Sequence, residues 1–172
     1  MSRFPTWDTA QKDKLQEFAT NKANPVETIA IDPGKFNGVC GYDSRHYLQF
    51  MFVVGSDDMV TFLNIFKNIQ RCILEDYTLF PNKAMQQTYS DMPTSRMIGR
   101  IESWAELNHI ELIKQLPTIK TTAYKWLGKK PPTKSSNQND PWDAHAHFTY
   151  WAIKNQKIDA KVLLDNDTTL QK

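Results

Sequence analysis

Residues 26–42, VETIAIDPGKFNGVCGY, decide the fold of this chain. From Val26 to Ile31 the pattern is strand-like, and it stops at Asp32-Pro33-Gly34. Proline presets one turn dihedral and glycine accepts the next, so this triplet turns the chain. Gly38 to Tyr42 resumes a strand pattern, and Tyr47 to Val54 supplies a third. Connections this short predict a β-meander. Asp32 then stands at the end of the first strand, where its carboxylate leaves the sheet at the rim.

Outward from this stretch, helix and strand signals alternate. Ser56 is a plausible N-cap, and Met59, Val60, Leu63, Phe66 and Ile69 recur at helical spacing, which predicts a helix from Ser56 to about Ile69. Cys72 to Tyr77 reads as a short buried strand running into polar residues. A central helix is predicted after Pro93, with Met97, Ile98, Ile101, Trp104 and Ala105 as its apolar stripe. Glu111 to Leu116 reads as a strand stopped by Pro117, and Thr121 to Leu127 as a short helix ended by Gly128. Residues 129–139, KKPPTKSSNQN, form a polar, basic loop. A last helix starts at Asp140-Pro141 and continues through Trp151. Before all of this, residues 6–22 read as a helix capped by Thr6 or Asp8.

This order predicts an α/β fold, a central mixed sheet of about five strands flanked by helices. Residues 28–158 make the main domain, residues 1–27 a helical N-terminal extension, and residues 159–172 a tail in which Val162, Leu163 and Leu164 are placed to dock. The 172 residues, 40% apolar and 23% charged, suit one core. There is no run of about 18 apolar residues and no apolar signal-peptide core, so neither a membrane partner nor export is expected, and the expected location is cytoplasmic. Cys40 and Cys72 lie in strand patterns and read as buried, reduced thiols.

Four acids stand out by position. Asp32 lies at the end of the first predicted strand, and Glu75 sits in another short apolar strand. A carboxylate beside Ile73 and Leu74 is costly when buried unpaired, and a metal ion is one partner that relieves it. Asp140 and Asp143 open the last helix, three residues apart and so on one face. Each has an ordinary explanation: a turn residue, a solvent-facing or lysine-paired strand residue, a helix cap and a first-turn charge. Together they make a hard, oxygen-rich set suited to Mg²⁺ or Mn²⁺. Two such ions about 4 Å apart are the usual engine of phosphodiester hydrolysis. His147 follows Asp143 by one turn and reads as a satisfied interior or surface histidine, or else as a group at the metal. His145 reads as structural, and Asp76 is expected to face away from Glu75.

The net charge is only +2, but Lys114, Lys120, Lys125, Lys129, Lys130 and Lys134 fall in one stretch without an acid. Such a stripe either follows a phosphate backbone or is an ordinary solvated loop. Lys35 is a further candidate for phosphate contact. Phe36, Tyr77 and Phe80 are candidates for stacking on unpaired bases, or plain core residues.

Three segments together resemble a known family. Residues 29–39, IAIDPGKFNGV, resemble the first motif of RuvC-type Holliday junction resolvases. Residues 72–77, CILEDY, resemble the second, and residues 139–147, NDPWDAHAH, the last. The resemblance spans about residues 28–155. It implies a ribonuclease-H-like fold and a Mg²⁺-dependent endonuclease with two ions, held by Asp32, Glu75, Asp140 and Asp143. It further implies attack by water, a homodimer, four-way and other branched DNA as substrate, and a lysine loop near the scissile strand. Compact members of this kind are familiar from bacteriophages. Alternatives within reach are a nuclease of this fold acting on flaps, forks or RNA–DNA hybrids, and a non-catalytic module that binds branched DNA. A two-lobed actin-like ATPase needs a longer chain.

Overall fold

The computed structural model describes residues 25–76, 93–128, 140–156, 158–160 and 162–163. Residues 1–24 of the N-terminal extension, the loop carrying Lys129, Lys130 and Lys134, the aromatics Tyr77 and Phe80, and Leu164 lie outside the described residues, as does the side chain of Asp140. The chain runs β1 (Thr28–Asp32), β2 (Phe36–Tyr42), β3 (Leu48–Gly55), α1 (Met59–Leu63), β4 (Arg71–Glu75), α2 (Pro93–Leu107), β5 (Glu111–Gln115), α3 (Ile119–Trp126) and α4 (Asp140–Gln156). The strands form one mixed sheet in the order β3-β2-β1-β4-β5. The meander β1-β2-β3 is antiparallel, while β4 and β5 add parallel to β1. This is the α/β architecture of five strands and flanking helices that the alternation of signals predicts.

Strand alternation sorts the side chains onto two faces. Ile29, Ile31, Cys72 and Leu74 join Met59, Phe62, Met97, Ile101 and Trp104 in one core. Ala30 and Ile73 face the other way, against Ala144, Phe148, Trp151 and Ala152 of α4. Both cysteines are buried thiols outside any disulfide, and Cys40 Sγ donates to Pro141 O at 3.0 Å. Burial pushes the Cys72 thiol up to about 12. Trp104 is a core residue whose indole N–H donates to Asn64 Oδ1 at 3.1 Å. Leu163 docks into the α4 side of the sheet, but Val162 stays half exposed.

The helix expected from Ser56 to Ile69 is much shorter. It covers only Met59–Leu63, and the residue before it is Asp58, with no side-chain cap. Phe66 and Ile69 still reach the core. They do so through tightened turns, Ile65 N–H to Phe62 O and Phe66 N–H to Leu63 O, before the chain extends into β4. The apolar spacing is therefore a true burial signal, met by non-helical backbone. Ser56 acts elsewhere, since its hydroxyl lies 2.9 Å from the carbonyls of both Gly34 and Lys35.

Two glycines are needed where they stand. Gly41 lies opposite Phe50, and a Cβ there would come within 2.3 Å of the ring. Gly128 ends α3 with φ of 60°, a left-handed conformation that glycine adopts without strain.

Candidate active site

The site forms at the carboxyl ends of β1 and β4. Their parallel register pairs Ile31 with Leu74, so Asp32 and Glu75 each lie one residue beyond that pair, on adjacent strands. Both follow the alternation of Ala30 and Ile73 and face α4. Next to them, Glu75 pairs in register with Gln115 of β5. Lys114, one residue earlier, faces the other side and bridges Asp76 at 3.1 Å and Glu102 at 2.9 Å. Asp76 therefore does turn away from Glu75.

The turn after Asp32 is pinned from inside. Asn37 is fully buried, takes the Gly34 N–H on Oδ1 at 3.2 Å, and donates from Nδ2 to Val54 O at 3.0 Å. Ser56 holds the outer side of the same turn. The Asp32 carboxylate thus leaves a strand end whose backbone is fixed on both sides.

Helix α4 crosses this rim with Asp143 and His147 four residues apart on one face. Asp143 meets a fourth element, α3. Lys120 Nζ lies 2.6 Å from Glu75 Oε2, 2.9 Å from Asp143 Oδ2 and 3.7 Å from Asp32 Oδ1. Tyr124, one turn along α3, donates its hydroxyl to Asp143 Oδ1 at 2.7 Å. Three of the four predicted acids therefore converge on one ammonium. The backbone of Asp140 begins α4 one turn before Asp143.

His147 is buried and placed by two strands. Its Nε2 lies 2.7 Å from Glu75 Oε2 and its Nδ1 2.8 Å from Gln115 Oε1. Glu75 Oε2 accepts from Nε2–H, and Gln115 Oε1 faces the other ring nitrogen, so the two side chains hold the imidazole from both sides. His145 is buried on another face of α4 and contacts the Tyr42 hydroxyl at 2.8 Å, a structural role as expected.

The electrostatics follow from this packing. Burial pushes the Glu75 carboxyl up, but the His147 hydrogen bond and the Lys120 charge outweigh it and hold it at about 2. Burial pushes Lys120 down, and the charges of Asp32, Glu75 and Asp143 more than reverse this, so it stays an ammonium well above the usual lysine range. Burial and the Asp143 carboxylate both raise Tyr124, which keeps its proton and acts as a donor.

Two of the predicted phosphate contacts sit apart from this cluster. Lys35 is exposed on the turn after β1, with Nζ 5.9 Å from the Phe36 ring, and Phe36 is 39% exposed. Lys125 is exposed on α3, about 140° around the helix from Lys120 at 100° per residue. Lys120 itself points into the carboxylates. Sequence reasoning singled out neither Tyr124 nor Gln115, Asn37 or Ser56 for the site. For Tyr124 the signal was its spacing of four from Lys120 in a short helix bounded by Pro117 and Gly128.

Among the described residues, no three Asp, Glu, His or Cys side chains close on one another as a metal-binding group. The carboxylates close on an ammonium instead. The donor chemistry nonetheless fits a divalent ion: hard oxygen ligands from three elements already surround a positive charge.

No family model matches the chain, and no curated protein matches it. Among solved structures it is similar to RuvC of Thermus thermophilus in complex with a Holliday junction substrate, at 13% identity and a TM-score of 0.49, over 74% of this chain and 95% of that one. It is also similar to the Thermus thermophilus RuvC structure, at 14% identity and a TM-score of 0.44, over 73% and 94% of the two chains. The yeast mitochondrial Holliday junction resolvase Ydc2 gives 12% identity and a TM-score of 0.41, over 93% and 91%.

Proposed function

We propose that this chain is a divalent-metal-dependent DNA endonuclease that cuts branched DNA, four-way junctions foremost. The observation that carries the reading is the convergence of Asp32, Glu75 and Asp143 around one cation at the carboxyl rim of β1 and β4. A purely structural ion pair needs one carboxylate per lysine. Three partly buried carboxylates around one ammonium leave an excess of negative charge, which a divalent ion offsets better.

In this reading Asp32, Glu75, Asp143 and Asp140 hold Mg²⁺ or Mn²⁺, two ions per site. The bound ions supply a polarised water and neutralise charge at the phosphate. The chain's own residues do the positioning. His147 and Gln115 fix the direction of the Glu75 carboxylate, and Tyr124 fixes that of Asp143. Asn37 and Ser56 keep the turn after Asp32 in place. Lys35, Lys125, Lys129, Lys130 and Lys134 supply charge for the phosphate backbone, with Lys120 within reach of the same strand when it leaves the carboxylates. The motifs at residues 29–39, 72–77 and 139–147 support a resolvase-type activity, and with it a homodimer that cuts two strands symmetrically. Bacteriophage origin and action in the host cytoplasm belong to the same reading.

The test is a labelled four-way junction offered beside a flap, a fork and an RNA–DNA hybrid. Wild-type protein cuts the junction best in Mg²⁺ or Mn²⁺ and is silent in chelator. Asp32→Asn loses cutting by about a thousandfold or more but still shifts the junction in Ca²⁺. Stronger cutting of flap or hybrid moves the assignment to that substrate. Undiminished cutting by Asp32→Asn removes the mechanism.

A further inference from the structure

We infer that Lys120 is a built-in counter-ion that holds the carboxylates assembled before metal arrives and must leave for a divalent ion to enter, while Tyr124 keeps Asp143 in place through the exchange. This role rests on the metal-site reading above. Charge is the starting point. Asp32, Glu75 and Asp143 come from two strands and a helix, with side chains only 12%, 16% and 23% exposed. Poorly hydrated carboxylates facing one common point repel one another unless a cation sits between them. The Lys120 ammonium takes that place.

The lysine and a metal cannot share the point on which the three carboxylates converge. Lys120 lies against Glu75 Oε2 and Asp143 Oδ2, at 2.6 and 2.9 Å. A divalent ion bound by all three carboxylates would need the central place that the ammonium now fills. Tyr124 makes no such conflict. It uses the other oxygen of Asp143, Oδ1, and carries no charge. Lys120 and Tyr124 thus divide the two oxygens of one carboxylate, one to be released and one to be held.

The backbone allows the exchange. Lys120 is the second residue of α3, just after Pro117 and Thr118, and α3 has only eight residues. Its side chain is 20% exposed, so the four-carbon stem has a route to solvent without moving the helix. Tyr124 sits deeper, packed with Ala123 and Ala146 between α3 and α4. That packing keeps the aromatic ring as the fixed member of the pair.

Two measurements on the full chain test this. The first is calorimetric titration with Mn²⁺ of wild type, Lys120→Met and Asp32→Asn, with metal-free melting temperatures alongside. Lys120→Met binds Mn²⁺ about tenfold or more tightly than wild type, as expected when a competing charge is removed, yet melts lower in chelator. Asp32→Asn binds weakly or not at all. The second uses wild type only, so it stands even where Lys120→Met misfolds. Pulse acylation read by mass spectrometry shows Lys120 several-fold more reactive at saturating Mn²⁺, with Lys35 and Lys114 unchanged. Unchanged Lys120 reactivity, or Asp32-dependent binding that is no tighter in Lys120→Met, overturns the counter-ion role and leaves the metal site standing. Absence of any Asp32-dependent Mn²⁺ binding overturns both.

Discussion

At the scale of single residues, the site is built by side chains that hold other side chains. Asp32, Glu75 and Asp143 were legible in the sequence because each ends or begins an element with a recognisable apolar pattern. What holds them was not legible. Asn37 looks like any turn asparagine until its amide is found bonded to Val54 O across the meander. Asn37→Ala leaves that carbonyl and the Gly34 N–H without this partner in a buried place, and it should cost about 1–3 kcal/mol of stability in a denaturant titration. Tyr124 is a sharper case. Tyr124→Phe removes one bond to a carboxylate but keeps the ring. Stability should fall by about 1.5–3 kcal/mol in metal-free protein, and cleavage should drop about tenfold through a misdirected Asp143. Unaltered cleavage would show that Asp143 needs no such support. Lys120 was read as a phosphate contact because local charge is visible in a sequence, whereas the partner of a lysine depends on what α4 brings across from residue 143.

At the scale of elements, the decisive arrangement is the pair β1 and β4. Parallel register sets Asp32 and Glu75 side by side with no loop between them. The sequence showed an acid at the end of one apolar strand and an acid within another, but not that these strands are neighbours. Parallel pairing is a non-local contact and leaves no local signature. Helix α4 was easier to place, since Ala144, Phe148, Trp151 and Ala152 mark one face and Asp143 with His147 another. Helix α1 was overextended because Phe66 and Ile69 are buried without being helical. The meander depends on close approach at Gly41. Gly41→Ala puts a methyl against the Phe50 ring and should destabilise the fold by about 1–3 kcal/mol, measured by thermal or denaturant unfolding. A neutral result would mean that Phe50 turns aside freely.

At the scale of the whole molecule, the carboxylate cluster ties stability to pH. Glu75 is held at about 2, below its ordinary value, so its contribution is present above the normal carboxylate range. That contribution fades as pH falls from about 4.5 toward 2. Lys120 is raised, so its contribution is full below its ordinary value and is lost only in strong alkali. Both shifts report the same ion pair from opposite ends. Metal-free protein should therefore hold a stability plateau from about pH 5 to 10 and lose it in acid, and Glu75→Gln should flatten the acid limb. Among the described residues no helix is long and apolar enough to cross a membrane. On the proposed function, a net charge of +2 leaves DNA binding to local lysines, and junction affinity should fall steeply with salt. Metal-dependent cutting at the rim of β1 and β4 stands or falls on a magnesium titration with a labelled four-way junction, comparing wild type with Asp143→Asn. The expected products are ligatable nicks with 5′-phosphate ends that rise with Mg²⁺, vanish in chelator and are absent from the variant. Cutting that persists in chelator, or that Asp143→Asn performs as well as wild type, would contradict a metal centre at this rim.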